Sequence, residues 1–351
     1  MSDLIATATP AAPAAPPLIE VENLSVVYRS KGRQVLAVDK ASLAIARGRT
    51  LGLVGESGSG KSTIASVILG LVPATSGSVT FDGAPLVRKT RAQRAALARR
   101  IQAVFQDPFG SMNPTRKIGE TLGEMLRYNL QVSAAEVAVR LESILAEVGM
   151  GTEVLDRFPS QFSGGQLQRL AIARALVVEP ELIVCDEAVS SLDLSVQAQV
   201  INLLARLTKA RGLTNLFISH DLSVVTYLSD EIAVLFAGQV VERGPAAQVA
   251  YHPTHPYTQA LVLAAPVPDV QAQAERRASR LDRGHADQAG DAHALRQSCP
   301  FASRCPFIID ICRSERPHLV ALPSGARVAC HVNAPMAMGV MTEASEETGD
   351  E

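Results

Sequence analysis

The sequence predicts an α/β fold with a mainly parallel sheet and a helical insert, followed by a small cysteine-bearing module. Three observations predict it. Short apolar runs alternate with stretches of helical spacing, a glycine-rich loop sits between one such run and one such stretch, and the texture changes after about residue 250, where four of the five cysteines lie. With 351 residues, 47% hydrophobic and 19% charged, the chain is long enough for one large domain or two and carries a packed core. Its formal net charge of -2 supplies no basic field for nucleic-acid phosphates, so nucleic acid is not expected as a main partner. No apolar run approaches the roughly 18 to 20 residues of a membrane-spanning helix, and the first residues lack the regions of a signal peptide. The expected location is therefore the cytosol, where five cysteines argue against structural disulfides.

Residues 1–17 are Ala/Pro-rich without periodicity and read as a flexible tail. "LIEVENLSVVY" from Leu18 and "VLAVDKASLAIA" from Val35 alternate like half-buried strands, whereas "TLGLVG" from Thr50 is a short buried run. The sheet should mix both kinds. Thr63 to Leu71 has helical spacing, "GSVTFDG" reads as a strand, and residues 106–181 form a helical insert in which Ser133 caps a helix ending near Gly149. Strand signals return in "ELIVCDE", "TNLFISH", "DEIAVLF" and "GQVVERG", separated by helical stretches from Val196 to Lys209 and after Asp221. Residues 18–250 are thus expected to form one α/β domain, 251–335 a second small module, and 336–351 an acidic tail.

The loop "GESGSGKST", Gly55 to Thr63, satisfies GxxxxGKS through Gly55, Gly60, Lys61 and Ser62. Glycines let successive backbone N–H groups, including those around Ser57 and Gly58, converge on phosphate oxygens, and the following helix adds its positive end. Lys61 should reach the outer phosphates, Ser62 should ligate Mg²⁺, and Thr63 should cap the same turn. The pattern points to a nucleoside triphosphate site. "LIVCDE" is the expected partner: Asp186 would hold Mg²⁺ through water, and Glu187 would orient the attacking water. Cys185 reads as a small buried hydrophobe in that strand.

A second glycine turn, "FSGGQLQR" from Phe162 to Arg169, has no obvious anion within the same site. It resembles the LSGGQ signature of ATP-binding cassette (ABC) ATPases, and the resemblance covers about residues 18–244. It implies the P-loop NTPase ABC cassette fold: a RecA-like core sheet, an antiparallel β subdomain and the helical insert. It also implies two cassettes facing head to tail, each ATP lying between the P-loop of one and the signature of the other. On that pattern Tyr28 stacks on adenine and Gln106 touches the metal and the membrane partner. Ser163, Gly165 and Gln166 complete the opposite site, Asp193 in "SSLD" belongs to the loop that communicates across the dimer, and His220 contacts the γ-phosphate. Two departures, Phe162 for the usual Leu and Ala188 for the usual Pro, remove no contacting group.

"VFQDPFGSMNP", "CDEAVSSLD" and "HPTHPYTQALVLAAP" further resemble the oligopeptide/dipeptide/nickel importer subfamily. The implied protein is an ATPase subunit at the cytoplasmic face of the membrane, working with integral membrane permease subunits and a second cassette, identical or related. It would serve a solute-binding protein indirectly. The competing expectation is a non-transport ABC ATPase that acts as a mechanical switch on nucleic acid or ribosomes. Substrate identity is not encoded in an energising subunit.

Cys299, Cys305, Cys312 and Cys330 are separated by five, six and seventeen residues, unlike the short CxxC knuckles of most zinc sites. Four thiolates can hold Zn²⁺ or an iron–sulfur cluster. His331 is a substitute ligand or a neighbour. The subfamily's C-terminal cysteine region resembles a 4Fe–4S-binding segment, so the resemblance implies iron–sulfur, with zinc as the alternative.

Overall fold

The computed structural model describes residues 16–30, 33–86, 90–130, 132–265 and 297–334. The expected acidic tail, nearly all of the N-terminal tail and the polar stretch after residue 270 up to Arg296 lie outside the described residues.

Alternating sequence at the N-terminus forms β1 (Ile19–Ser30) and β2 (Arg33–Ile45), which with β4 (Ser76–Phe81) and β5 (Ala84–Pro85) make a four-stranded sheet ordered β2-β1-β4-β5. Every pairing in it is antiparallel. The second sheet has eight strands, β11-β12-β10-β9-β3-β8-β7-β6. Here β3 (Thr50–Val54), β6 (Ile101–Phe105), β7 (Leu182–Asp186), β8 (Thr214–Ile218) and β9 (Glu231–Phe236) run parallel. In β3 and β8 every residue is buried, as expected of strands covered on both faces. The antiparallel additions are β10 (Gln239–Pro245), β11 (Val320–Ala321) and β12 (Arg327–Val328).

The helices are α1 (Lys61–Ile68), α2 (Arg91–Arg100), α3 (Ile118–Leu130), α4 (Ala134–Glu147), α5 (Gly164–Leu176), α6 (Leu194–Arg211), α7 (Leu222–Leu228), α8 (Ala246–Tyr251), α9 (Pro256–Ala264) and α10 (Ile311–Ser314). Among the described residues no helix is long and apolar enough to cross a membrane. Ser133 caps α4 by accepting from the Glu136 N–H, and Gly149 just beyond the helix takes φ 74°.

The described C-terminal residues make contacts with the main sheet and its core. Strand β12 pairs Val328 with Glu242 and Arg327 with Arg243, extending the main sheet. Cys299, Phe301, Ala302 and Cys312 pack into the same hydrophobic core as Ile183, Phe217, Phe236 and Tyr257. Such short strands have no periodicity that could announce them.

The "HPYT" stretch opens α9. His255 is the cap residue: its Nδ1 accepts from the Tyr257 N–H at 3.0 Å, and Pro256 fills the first turn. The buried Glu242 carboxylate accepts from the Thr254 N–H at 2.7 Å and the His255 N–H at 2.9 Å. Burial drives the His255 imidazole down to about 3, against a backbone hydrogen bond to Ala329 that opposes the shift. The unfolded chain binds this proton below about pH 6.5 while the folded chain refuses it until about 3, so stability rises with pH across that window by up to about 1.4 kcal/mol per unit. His255→Asn, which keeps a capping acceptor but does not titrate, should flatten the stability-against-pH curve between about pH 4 and 6.5 in denaturant titrations. Glu242, raised by burial, contributes the opposite slope and is common to both proteins, so the difference isolates His255.

Candidate active site

The parallel strands end in register at their C-terminal ends. Leu53 pairs with Ile218, Ile218 with Asp186, and Asp186 with Phe105. The chain therefore leaves β3 into Gly55, β6 into Gln106, β7 into Glu187 and β8 toward His220 at one level, the crevice where parallel sheets place their ligands.

Gly55 adopts φ 154° and Gly60 φ 103°, and neither tolerates a side chain. A Cβ on Gly55 would lie 2.1 Å from the Leu235 carbonyl oxygen, and one on Gly60 2.4 Å from that of Ala37. The loop can pass this close to β2 and β9 only as glycine. Ser57 and Gly58 are exposed on its outer bend. Gly60 is the cap position of α1, which has no side-chain cap and no acidic residue in its first turn, so its leading N–H groups and the helix dipole are available to an anion.

Lys61 is only 5% exposed, and its Nζ donates to the carbonyls of Gly55 at 2.8 Å and Glu56 at 2.9 Å. Burial lowers its pKa, against the pull of Glu187, Asp186 and Glu56. Ser62 Oγ donates to Asp186 Oδ1 at 3.0 Å, and burial raises the Asp186 carboxyl against that hydrogen bond. This hydroxyl–carboxylate pair is the hard oxygen donor set that Mg²⁺ prefers. Glu187 sits at φ 49°, its N–H donating to the Ile218 carbonyl at 3.0 Å, and its Oε1 lies 3.7 Å from His220 Nδ1. A non-glycine residue held in the left-handed region beside these groups marks a constrained position.

The Tyr28 ring is 41% exposed, with its hydroxyl 3.5 Å from Thr63 Oγ1 at the side of the loop. The Gln106 carbonyl accepts from Ser191 Oγ at 3.0 Å, tying the loop after β6 to the "SSLD" loop. Asp193 caps α6: its Oδ1 accepts from the Ser195 hydroxyl at 2.7 Å and the Val196 N–H at 3.0 Å, and the Ser195 hydrogen bond leads in lowering its carboxyl.

Ser163, Gly165 and Gln166 lie elsewhere. Ser163 and Gln166 form a reciprocal capping box at the start of α5, the Gln166 Oε1 accepting from the Ser163 N–H at 3.0 Å. Both are exposed. Helix α5 packs on β6, α3, α4 and α6, whereas α1 packs on β2, β7 and β8. Gly165 also has a role within the chain: a Cβ there would lie 2.2 Å from Val196 Cγ1. Gly165→Ala should destabilise the fold by roughly 1 to 3 kcal/mol through overpacking of α5 against α6, read as a lower midpoint in thermal or denaturant unfolding. Phe162, the departure from leucine, is buried beneath the Arg157 guanidinium, 4.5 Å from its ring centroid.

The expected metal site at the cysteines is not supported. Among the described residues no group of three or more His, Cys, Asp or Glu can hold a metal ion. Cys299 and Cys312 are buried in the main core with Cys305 packed against it, while Cys330 packs on a small separate cluster of Leu322, Ala326, Val328 and Ala334. Burial pushes the Cys299 thiol up to about 12 and raises Cys305 and Cys330, which favours neutral thiols. Cys185 is a buried strand residue, its thiol also pushed up to about 12 by burial. His331 faces the Glu315 carbonyl at 3.2 Å.

Three contributors escaped sequence reasoning: Tyr257, Arg304 and Glu56. Tyr257 and Arg304 meet the phosphate loop at Glu56 from more than 200 residues away. The only signal was that "HPYT" had no role of its own.

Residues 38–190 match the ABC transporter family, and residues 241–312 match the oligopeptide/dipeptide transporter C-terminal region. The chain is 46% identical over 320 residues to a protein of Brucella melitensis named for peptide import ATP binding, spanning 89% of this chain and 81% of the relative. It is 42% identical over 327 residues to a peptide ABC transporter ATP-binding protein of Sinorhizobium fredii, spanning 91% of each. Among solved structures, cbiO1 of Clostridium perfringens, part of the ABC transporter complex cbiONQ, superposes with TM-score 0.61 at 25% identity over 76% of this chain and 100% of its own. The ATP-binding cassette MJ0796, solved as a dimer in a post-hydrolysis state with ADP and Pi, superposes with TM-score 0.60 at 27% identity over 65% of this chain and 98% of its own. The phosphate loop, the acidic end of β7 and the glycine turn at the start of α5 stand in the fold those cassettes share, and the chain belongs to the ABC transporter family of ATP-hydrolysing cassettes.

Proposed function

We propose that the chain is the ATP-hydrolysing subunit of a membrane importer for peptides or related small solutes, and that it works as half of a facing cassette pair. One observation carries this reading. Gly55, Gly60, Lys61, Ser62, Gln106, Asp186, Glu187 and His220 converge at the C-terminal ends of the parallel strands, while Ser163 and Gln166 are exposed at the start of α5, which packs on β6, α3, α4 and α6. Half of the binding chemistry thus faces outward, as a site completed by a second cassette requires.

In this reading Tyr28 stacks on the base, the loop N–H groups and Lys61 hold the phosphates, and Ser62, Gln106 and Asp186 hold Mg²⁺. Bound Mg²⁺ neutralises developing charge on the phosphates. Glu187 accepts the proton of the attacking water, and His220 orients the γ-phosphate. Ser163, Gly165, Gln166 and Asp193 serve the nucleotide on the facing cassette. The preference of ATP for the closed pair supplies the work, and reopening follows hydrolysis.

Exposed Phe105, Phe109 and Tyr128, on and after the strand leading to Gln106, supply apolar contacts for cytoplasmic loops of a permease. The peptide-import names of the relatives support the substrate class. We place residues 18–250 as the catalytic cassette and 251–335 as the importer-type region, at the cytoplasmic face of the membrane. Copurification with an integral membrane protein and hydrolysis stimulated by a peptide-loaded binding protein would bear this out. Hydrolysis stimulated instead by nucleic acid or ribosomes would overturn it.

The four C-terminal cysteines do not fit a single metal ion, and no step is assigned to one. An iron–sulfur cluster is a separate, finer proposal. Its support is the number of cysteines, since such a cluster takes four, whereas the burial that favours neutral thiols weighs against it. Iron and labile sulfide in anaerobically purified protein test it, and colourless, iron-free protein removes it.

A further inference from the structure

Glu56, the second residue of the phosphate loop, has a partner at every polar group, and two of those partners come from outside the loop. Its N–H donates to the Tyr257 hydroxyl at 2.9 Å. Its carboxylate takes the two Nη atoms of Arg304 in a fork, at 2.9 and 2.8 Å. Its carbonyl accepts from Lys61 Nζ at 2.9 Å. One residue thereby links the phosphate-loop lysine to two residues of the C-terminal region.

Those two residues stand on a rigid base. The Tyr257 ring is fully buried, 4.5 Å from Phe236 and 5.5 Å from Phe301 between centroids. The Arg304 guanidinium lies 5.5 Å from each of the same two rings, Phe236 and Phe301. Phe236 ends β9, the strand beside β3, and Phe301 lies in the turn between Cys299 and Cys305. The ion pair is partly exposed on both sides, so its contribution is geometric more than energetic: a planar fork fixes where a carboxylate sits.

We propose that Tyr257 and Arg304 are positioning residues of the ATP site, acting through Glu56 to set where the loop peptide and the Lys61 ammonium stand before nucleotide arrives. The C-terminal region then tunes nucleotide affinity directly, besides completing the sheet edge. This rests on the reading of Gly55 to Thr63 as the ATP site.

Calorimetric titration of the full chain with the Mg²⁺ complex of a non-hydrolysable ATP analogue tests it, with melting temperatures recorded in parallel. Tyr257→Phe and Arg304→Ala are each expected to weaken binding about 5- to 10-fold, the size of effect that follows from unpairing one donor or one charge. Arg304→Lys should recover part of that loss. Because Arg304 acts through Glu56, Glu56→Ala combined with Arg304→Ala should bind no more weakly than Arg304→Ala alone, whereas independent structural damage would add. Lys61→Ala is the control. If it weakens binding about 10²-fold while Tyr257→Phe and Arg304→Ala bind as the native chain does, the positioning role is overturned and the ATP site stands. If Lys61→Ala itself binds normally, the ATP site falls, and the positioning role with it.

Discussion

Glu187→Gln is expected to slow ATP hydrolysis about 10²- to 10⁴-fold while leaving ATP binding intact. The amide has the carboxylate's shape but cannot take a proton from water. Nothing around it needs rebuilding: the Glu187 N–H still donates to Ile218, the Glu187 carbonyl still accepts from the Ser190 hydroxyl at 3.0 Å, and the His220 ring still stands beside it. With hydrolysis blocked, ATP is not consumed and the closed pair persists. Size exclusion in Mg-ATP should show the variant at twice the mass it has without nucleotide. Normal turnover in this variant would mean that another group is the base.

Lys61→Ala is expected to weaken ATP binding about 10²-fold, because hydrogen bonds to charged groups are worth roughly 1.5 to 3 kcal/mol each. Its ammonium is the one cation in the loop, and it donates to the Gly55 and Glu56 carbonyls. Phosphate oxygens are stronger acceptors than peptide carbonyls, so ATP draws the ammonium onto itself. Equilibrium binding of a fluorescent ATP analogue reads the loss. Unchanged affinity would remove Lys61 from the site.

The parts of the molecule visible in the sequence are those whose cause is local. A buried run before a GxxxxGKS loop specifies β3, the loop and α1 within twenty residues, the acid-terminated run "LIVCDE" specifies β7, and the apolar run in "TNLFISH" specifies β8. Ser133, Ser163, Asp193 and Asp221 each act as helix caps, which their residue type alone favours. What was hidden is long-range. Strands β11 and β12 hold two residues each and owe their existence to the open edge of β10. Tyr257 reaches Glu56 across the core, and the packing of Gly165 on Val196 depends on how α5 crosses α6. Cysteine spacing likewise says nothing of the burial that distributes the thiols between two hydrophobic clusters.

The central claim is that each reaction chamber is built from two chains, and mixing two damaged chains tests it most directly. Lys61→Ala spoils the phosphate loop and leaves the signature intact. Ser163→Asp keeps a capping side chain on α5 but sets a negative charge where the facing nucleotide's phosphates would lie, without the packing damage that a change at Gly165 brings. Each variant alone should be inactive as a homodimer. Random pairing of the two places one undamaged chamber in about half of the dimers, so the mixture should regain ATPase activity that neither component has. Full activity in Ser163→Asp alone, or no recovery on mixing, would contradict the account.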